Sequence, residues 1–207
     1  MPCSRRNMRP TLHRCLLIVA ALAVSATASA QRGALTVQRN LDHLVDRSAV
    51  ILRGQIQSAH VEKHPELNSL NTVVVTLRVL DSLKGDAGKT FTFRQYVWDF
   101  RDSADMAGYR KGQEFLLLMI APSRYGLSSP AGLEQGRFRI RRDPAGRATA
   151  VNAHGNARLL DGIAEQLAKE GKSVSPSLAR TVAGHQKGPI DLEELTSLIH
   201  ALSSEQN

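Results

Sequence analysis

The sequence predicts a mainly β protein: a small antiparallel five-stranded barrel, preceded by a short helix and followed by C-terminal helices. Three observations carry this. Between about residues 48 and 142, short runs alternate apolar and polar side chains with a period of two. Turn signals rich in Gly, Pro, Asn and Asp separate those runs, with little helical periodicity between them. Beyond Asp143-Pro144-Ala145-Gly146 the apolar residues recur instead at helical spacing.

The chain opens on an export signal. Four arginines (Arg5, Arg6, Arg9 and Arg14) precede the apolar run from Cys15 to Val24, and Ala28-Ser29-Ala30 supplies the small residues of a cleavage site. Residues 1–30 are therefore expected to be a signal peptide cleaved before Gln31, and the protein to be periplasmic or secreted. Ser4-Arg5-Arg6-Asn7-Met8 resembles a twin-arginine motif, but the strongly apolar core of the signal favours the Sec route over Tat. The uncharged stretch from Cys15 to Ala30 is 16 residues long, short of the ~20 that span a bilayer. No later run is apolar enough to cross a membrane, so no transmembrane span is expected after signal removal.

Cleavage changes what composition says. The full chain carries 27 Lys plus Arg against 19 Asp plus Glu, a formal charge of +8; losing four arginines and no acid leaves +4. Both cysteines, Cys3 and Cys15, leave with the signal. A mature chain without a thiol has no disulfide, no Cys-based zinc site and no cysteine nucleophile.

Residues 31–155 are read as the barrel domain with its leading helix. Gln38 to Ser48 is helical, with Leu41, Leu44 and Val45 on one face. Val50 to Ile56 is a strand in which Gly54 marks a bulge or bend. Glu62 to Asn71 is a connecting loop. Thr72 to Leu83 is the clearest strand, a β-branched run without a helical stripe. Lys84 to Gly88 turns the chain into a third strand, Lys89 to Trp98. Asp99 to Gly112 is a polar excursion, and Phe115 to Ile120 is apolar at every position, as a strand covered on both faces must be. Pro122 to Gly132 is a loop; Gly136 to Arg142 is the fifth strand.

Residues 156–207 are read as a helical C-terminal segment. Leu159, Leu160, Ile163, Ala164, Leu167 and Ala168 recur at helical spacing up to Gly171. Lys172 to Pro189, polar and rich in small residues, is expected to be a mobile linker at 172–189. Asp191 and Glu194 form a capping pattern for a last helix striped by Leu192, Leu195, Leu198, Ile199 and Leu202.

The order Arg53-Gly54, Val79 to Gly85, Lys111 to Leu118 and Gly132-Leu133-Glu134-Gln135-Gly136-Arg137-Phe138 resembles a group of exported bacterial proteins of unassigned function. Their pattern is similar to netrin-like and metalloproteinase-inhibitor barrels, so the resemblance, which covers about residues 45 to 155, implies an OB-like barrel. Those inhibitors use an amino-terminal cysteine to chelate a protease zinc. This mature chain has none, so the inhibitory mechanism is not carried over.

Two groups of residues stand out as ligand-binding candidates. Tyr96, Trp98 and Phe100 alternate where a strand enters a loop studded with Asp99, Arg101 and Asp102, and such aromatics either stack on a ligand or close the barrel end. Arg137, Arg139 and Arg141 share one face of the fifth strand, opposite Phe138 and Ile140, and either meet an anionic partner or form a solvated face. His60 and His64 have a zinc-like spacing, but Pro65 argues against the helix that this spacing needs. No catalytic elbow, metalloprotease helix or phosphate-cradling glycine loop appears. No catalytic residue, cofactor or metal site is expected. The function expected is a non-enzymatic binding or interaction module of the cell envelope, its partner an envelope protein, peptide or glycan; nucleic acid is not expected. The alternative is an envelope hydrolase or other enzyme whose site converges only in space.

Overall fold

A computed structural model describes residues 37–97 and 108–203. Trp98, Phe100 and the expected signal at residues 1–30 lie outside the described residues. Asn40 caps a short helix α1 (Leu41–Asp46) by accepting a hydrogen bond from the His43 N–H, and the helix buries Leu41, Leu44 and Val45. The helix is shorter than the 38–48 expected.

Among the described residues, seven strands form one antiparallel sheet: β1 (Val50–Lys63), β2 (Asn71–Lys84), β3 (Thr90–Tyr96), β4 (Glu114–Met119), β5 (Arg137–Arg142), β6 (Ala148–Val151) and β7 (Ile190–Asp191). Their order across the sheet is β3-β2-β1-β4-β5-β6-β7. The mainly β class stands, but the count of five is corrected to seven and the sheet is not closed. β6 pairs with β5 across the Asp143–Gly146 turn, and β7 adds two residues at the far edge. Strands of four and two residues are too short to show a period of their own.

The long β1–β2 hairpin bends rather than lying flat. Its register shifts at Ile51/Leu52, Arg53/Gly54 and Ile56/Ser58, and each such irregularity sharpens local twist. Gly54 sits at the second shift, where a Cβ would lie 3.0 Å from the Arg78 carbonyl oxygen and 3.2 Å from Leu77. The absent side chain lets β2 approach this closely. The 122–130 loop reaches across the bend: Pro130 bridges to Met119 on β4, and Leu127 to Arg94 on β3, where the Ser128 N–H donates to the Arg94 carbonyl.

β4 separates two cores. On one face Leu116 and Leu118 join Ile51, Phe138 and Ile140 beneath the helices. On the other, Phe115, Leu117 and Met119 join Leu52, Val75, Leu77 and Phe93 inside the curl of β1–β3. The unbroken apolar run is thus explained by burial on both sides.

The C-terminal part departs from expectation in two places. Helix α2 begins only at Ile163 (Ile163–Lys169), because Asn156, Arg158 and Gly162 adopt left-handed backbone and hold 152–162 in turns. The stretch expected as a linker contains helix α3 (Pro176–Gly184). Ser175 caps it by accepting from the Leu178 N–H, Pro176 occupies the first turn, and Leu178 and Val182 are buried. Helix α4 (Leu192–Ser203) buries Leu192, Leu195, Leu198 and Ile199, and Asp191 accepts hydrogen bonds from the Glu193 and Glu194 N–H groups. None of these helices is long and apolar enough to cross a membrane.

Candidate binding face

The period of two on β5 puts Phe138 and Ile140 under the helices and sends Arg137, Arg139 and Arg141 to the opposite face. Register fixes their neighbours. Arg137 lies beside Leu117, Arg139 between Phe115 on β4 and Val151 on β6, and Arg141 beside Thr149. The expected row of three arginines is therefore present, but its members are not equivalent.

Arg137 belongs to the second core. Its guanidinium stacks 4.7 Å from the Tyr109 ring centroid and 5.9 Å from that of Phe115, and it is ion-paired to Glu134. A 3₁₀ turn at Leu133–Gly136 places Glu134 and Arg137 three residues apart on the same side. Its side chain is only 13% exposed. Of the two alternatives for the row, a solvated face does not describe Arg137: an aromatic floor and a carboxylate hold it.

Tyr109 is the hub of the region. It is 1% exposed, packs edge-on against Phe93 at 5.6 Å and Phe115 at 6.0 Å, and its hydroxyl donates to Gln95 Oε1 at 2.8 Å. Burial pushes this hydroxyl up to about 12, a shift that the nearby Arg137 cation only partly offsets. Gln95 precedes Tyr96, which ends β3 and is 39% exposed. Gly108 also closes on Arg137, since a Cβ there would fall 2.7 Å from its guanidinium. Tyr109 thus ties Gln95, next to Tyr96 at the end of β3, to the first arginine of β5, while the period of two turns the Tyr96 side chain to the other face of the strand.

Arg139 and Arg141 differ from Arg137 in having no partner. Both are exposed, and neither makes a side-chain hydrogen bond or ion pair among the described residues. With Phe115, Arg137, Val151, Asn152 and Ala153 they line an open cavity of about 200 Å³. Its rim is fixed by a buried amide network. Asn156 Nδ2 donates to the Ala150 and Gly188 carbonyls, its Oδ1 accepts from the Asn152 N–H, and Asn152 Nδ2 donates to the Gln135 carbonyl.

Sequence reading singled out neither Tyr109 nor Glu134. The signal for Glu134 was its spacing of three from Arg137; nothing local marks Tyr109, whose role depends on strands far away in the chain. His60 and His64 do not converge. His60 pairs with Glu62 on β1, whereas His64 is buried, with Nε2 on the Tyr125 carbonyl at 2.8 Å and Nδ1 accepting the Glu66 and Leu67 N–H groups at 3.1 Å. A second, mostly apolar cavity of about 360 Å³ lies between β3 and the 122–130 loop, lined by Val50, Phe91, Phe93, Met119 and Ile120.

Comparison of the chain with protein-family models, with curated proteins and with solved structures finds no match.

Proposed function

We propose that this chain is an exported, non-enzymatic binding module of the cell envelope, and that its working face is the junction of the β3 end with the arginine row of β5. The observation that carries the reading is Tyr109. It hydrogen-bonds Gln95 beside Tyr96, and it supports Arg137 at the head of a row whose other two arginines are unpaired. Exposed guanidinium groups beside an apolar floor suit a partner with anionic groups, whether an envelope protein, a peptide or a glycan. The n-region, apolar core and A-x-A site in residues 1–30 support delivery to the envelope by the Sec route. The OB-like reading of the fold belongs to the same proposal, supported by the bends of β1–β2 and the bridges from the 122–130 loop to β3 and β4.

Affinity capture from an envelope extract tests this, using the wild-type chain and an Arg139→Glu/Arg141→Glu variant matched by circular dichroism. The wild type is expected to retain a defined partner that the variant releases. Equal retention by both would remove the arginine row from the working face. Mass spectrometry of protein from the envelope fraction tests export: the expected chain begins at Gln31, and an intact Met1 on a cytosolic protein would end the envelope reading.

A further inference from the structure

Among the described arginines, Arg53, Arg94, Arg137, Arg142, Arg147 and Arg158 each pair with a carboxylate. Arg39, Arg47, Arg139, Arg141 and Arg180 make no side-chain hydrogen bond or ion pair among the described residues. What sets Arg139 and Arg141 apart is that they stand side by side on one strand face over a cavity. Among the described residues, no carboxylate lines that cavity. The contrast is the other arginine-lined hollow, of about 370 Å³, where Arg53, Arg142 and Arg147 are interleaved with Asp191 and Glu193 and are already bonded to Glu114 and Asp143. Charge there is neutralised internally, whereas on β5 it is left over.

We propose that Arg139 and Arg141 form a binding site for a phosphate group, in particular a diphosphate or phosphodiester whose neutral portion rests on Val151. This rests on the working face described above and names the chemistry of its ligand. Residues two apart on a strand have Cα atoms about 7 Å apart, so both planar guanidinium groups reach one phosphate or two linked ones. Each guanidinium offers paired N–H donors matched to phosphate oxygens. The strand is held from beneath by buried Phe138 and Ile140 and beside by the Asn152–Asn156 network, so the donors' anchors are fixed before a ligand arrives. Arg137 positions the end of the row; its own charge is met by Glu134.

Isothermal titration calorimetry on the folded chain tests the site with pyrophosphate, inorganic phosphate and acetate. Vesicles of phosphatidylglycerol, and of phosphatidylcholine alone, form separate arms. Pyrophosphate is expected to bind more tightly than phosphate, and acetate not measurably. Arg139→Gln/Arg141→Gln is expected to weaken pyrophosphate at least ~10-fold, as loss of two charge-assisted contacts should. Arg147→Gln/Arg158→Gln, which removes the same charge elsewhere, is expected to change nothing. Binding to phosphatidylglycerol vesicles that is lost in the first variant assigns the phosphate to a lipid headgroup; pyrophosphate binding without vesicle binding assigns it to a soluble ligand. Equal weakening by the two double variants would overturn the site, because only net charge would then matter. So would acetate binding as tightly as pyrophosphate. Should phosphate chemistry fail while Arg139→Glu/Arg141→Glu still releases the envelope partner, the working face stands and only the ligand class falls.

Discussion

The buried hydroxyl of Tyr109 makes alkaline stability a direct readout of how this region is built. Its folded-state value is pushed up to about 12, against about 10 for an unfolded tyrosine. With an acid's folded value raised, the unfolded chain loses its proton first as pH rises. The stabilising contribution is full below pH ~10 and lost progressively between ~10 and ~12. At ~1.4 kcal/mol per unit, the loss across that window is about 2–3 kcal/mol. Tyr109→Phe keeps the ring contacts with Phe93, Phe115 and Arg137 but removes both the titration and the hydrogen bond to Gln95. At pH 8 the variant should therefore be less stable by ~1 kcal/mol, the net value of one hydrogen bond. By pH ~12 the order should reverse, because only the wild type pays for keeping a neutral phenol. Urea unfolding of both proteins from pH 8 to 12 measures the difference directly and cancels the shared lysine and arginine titrations. A constant difference across the range would refute the buried hub. So would a phenolate absorbance that rises for all three tyrosines together near pH 10.

Three further outcomes follow from other parts of the fold. His64→Ala should cost about 2–4 kcal/mol in urea unfolding, because it strands the Tyr125 carbonyl and the Glu66 and Leu67 N–H groups in a buried site; a loss below ~0.5 kcal/mol would mean that water replaces the ring. Burial lowers the His185 value, and its Nε2 is buried without a partner. Stability should therefore be full above the unfolded value near 6.5 and fall as pH drops below it, and His185→Leu should flatten that acid slope in thermal melts. A Cβ on Gly136 would lie 2.5 Å from the Ala131 carbonyl oxygen, so Gly136→Ala should destabilise by ~1–3 kcal/mol, and an unchanged melting temperature would contradict that contact.

What the sequence discloses depends on the range of the cause. β2 and β4 are legible because their patterns follow from local alternation and from burial on both faces, and both are found within a residue or two of expectation. Helix α3 was legible in principle through Ser175-Pro176 and the Leu178/Val182 pair, but the polar residues around them outweighed a stripe of two. β7 was not legible at all. Ile190 and Asp191 extend only because β6 offers an edge to pair with, and Asp191 also caps α4. The candidate site divides in the same way. Period two alone places three arginines on one face, whereas the burial of Arg137 depends on Tyr109, well removed in the sequence, and on Phe115 from the neighbouring strand. Tyr96 is placed at an exposed strand end as the alternation implied, while Trp98 and Phe100 fall outside the described residues.

The inequivalence of the three arginines yields a prediction about stability that separates a binding surface from a structural one. Arg139 and Arg141 have Cα atoms about 7 Å apart, and like charges held at that spacing repel by ~0.6 kcal/mol in bulk water before salt screening reduces the figure. Among the described residues they make no side-chain ion pair or hydrogen bond that would offset this. Arg139→Gln/Arg141→Gln should therefore leave the melting temperature unchanged or slightly raised. Arg137→Gln is the contrasting case. It leaves Glu134 without its ion pair and uncovers the rings of Tyr109 and Phe115, at a cost of ~1–3 kcal/mol. If the double variant instead lost more than ~1 kcal/mol, Arg139 and Arg141 would be holding the sheet together, and their exposure would be no reason to look for an anion. A fold that tolerates their removal while ligand binding fails is one in which those two charges are kept for something outside the chain.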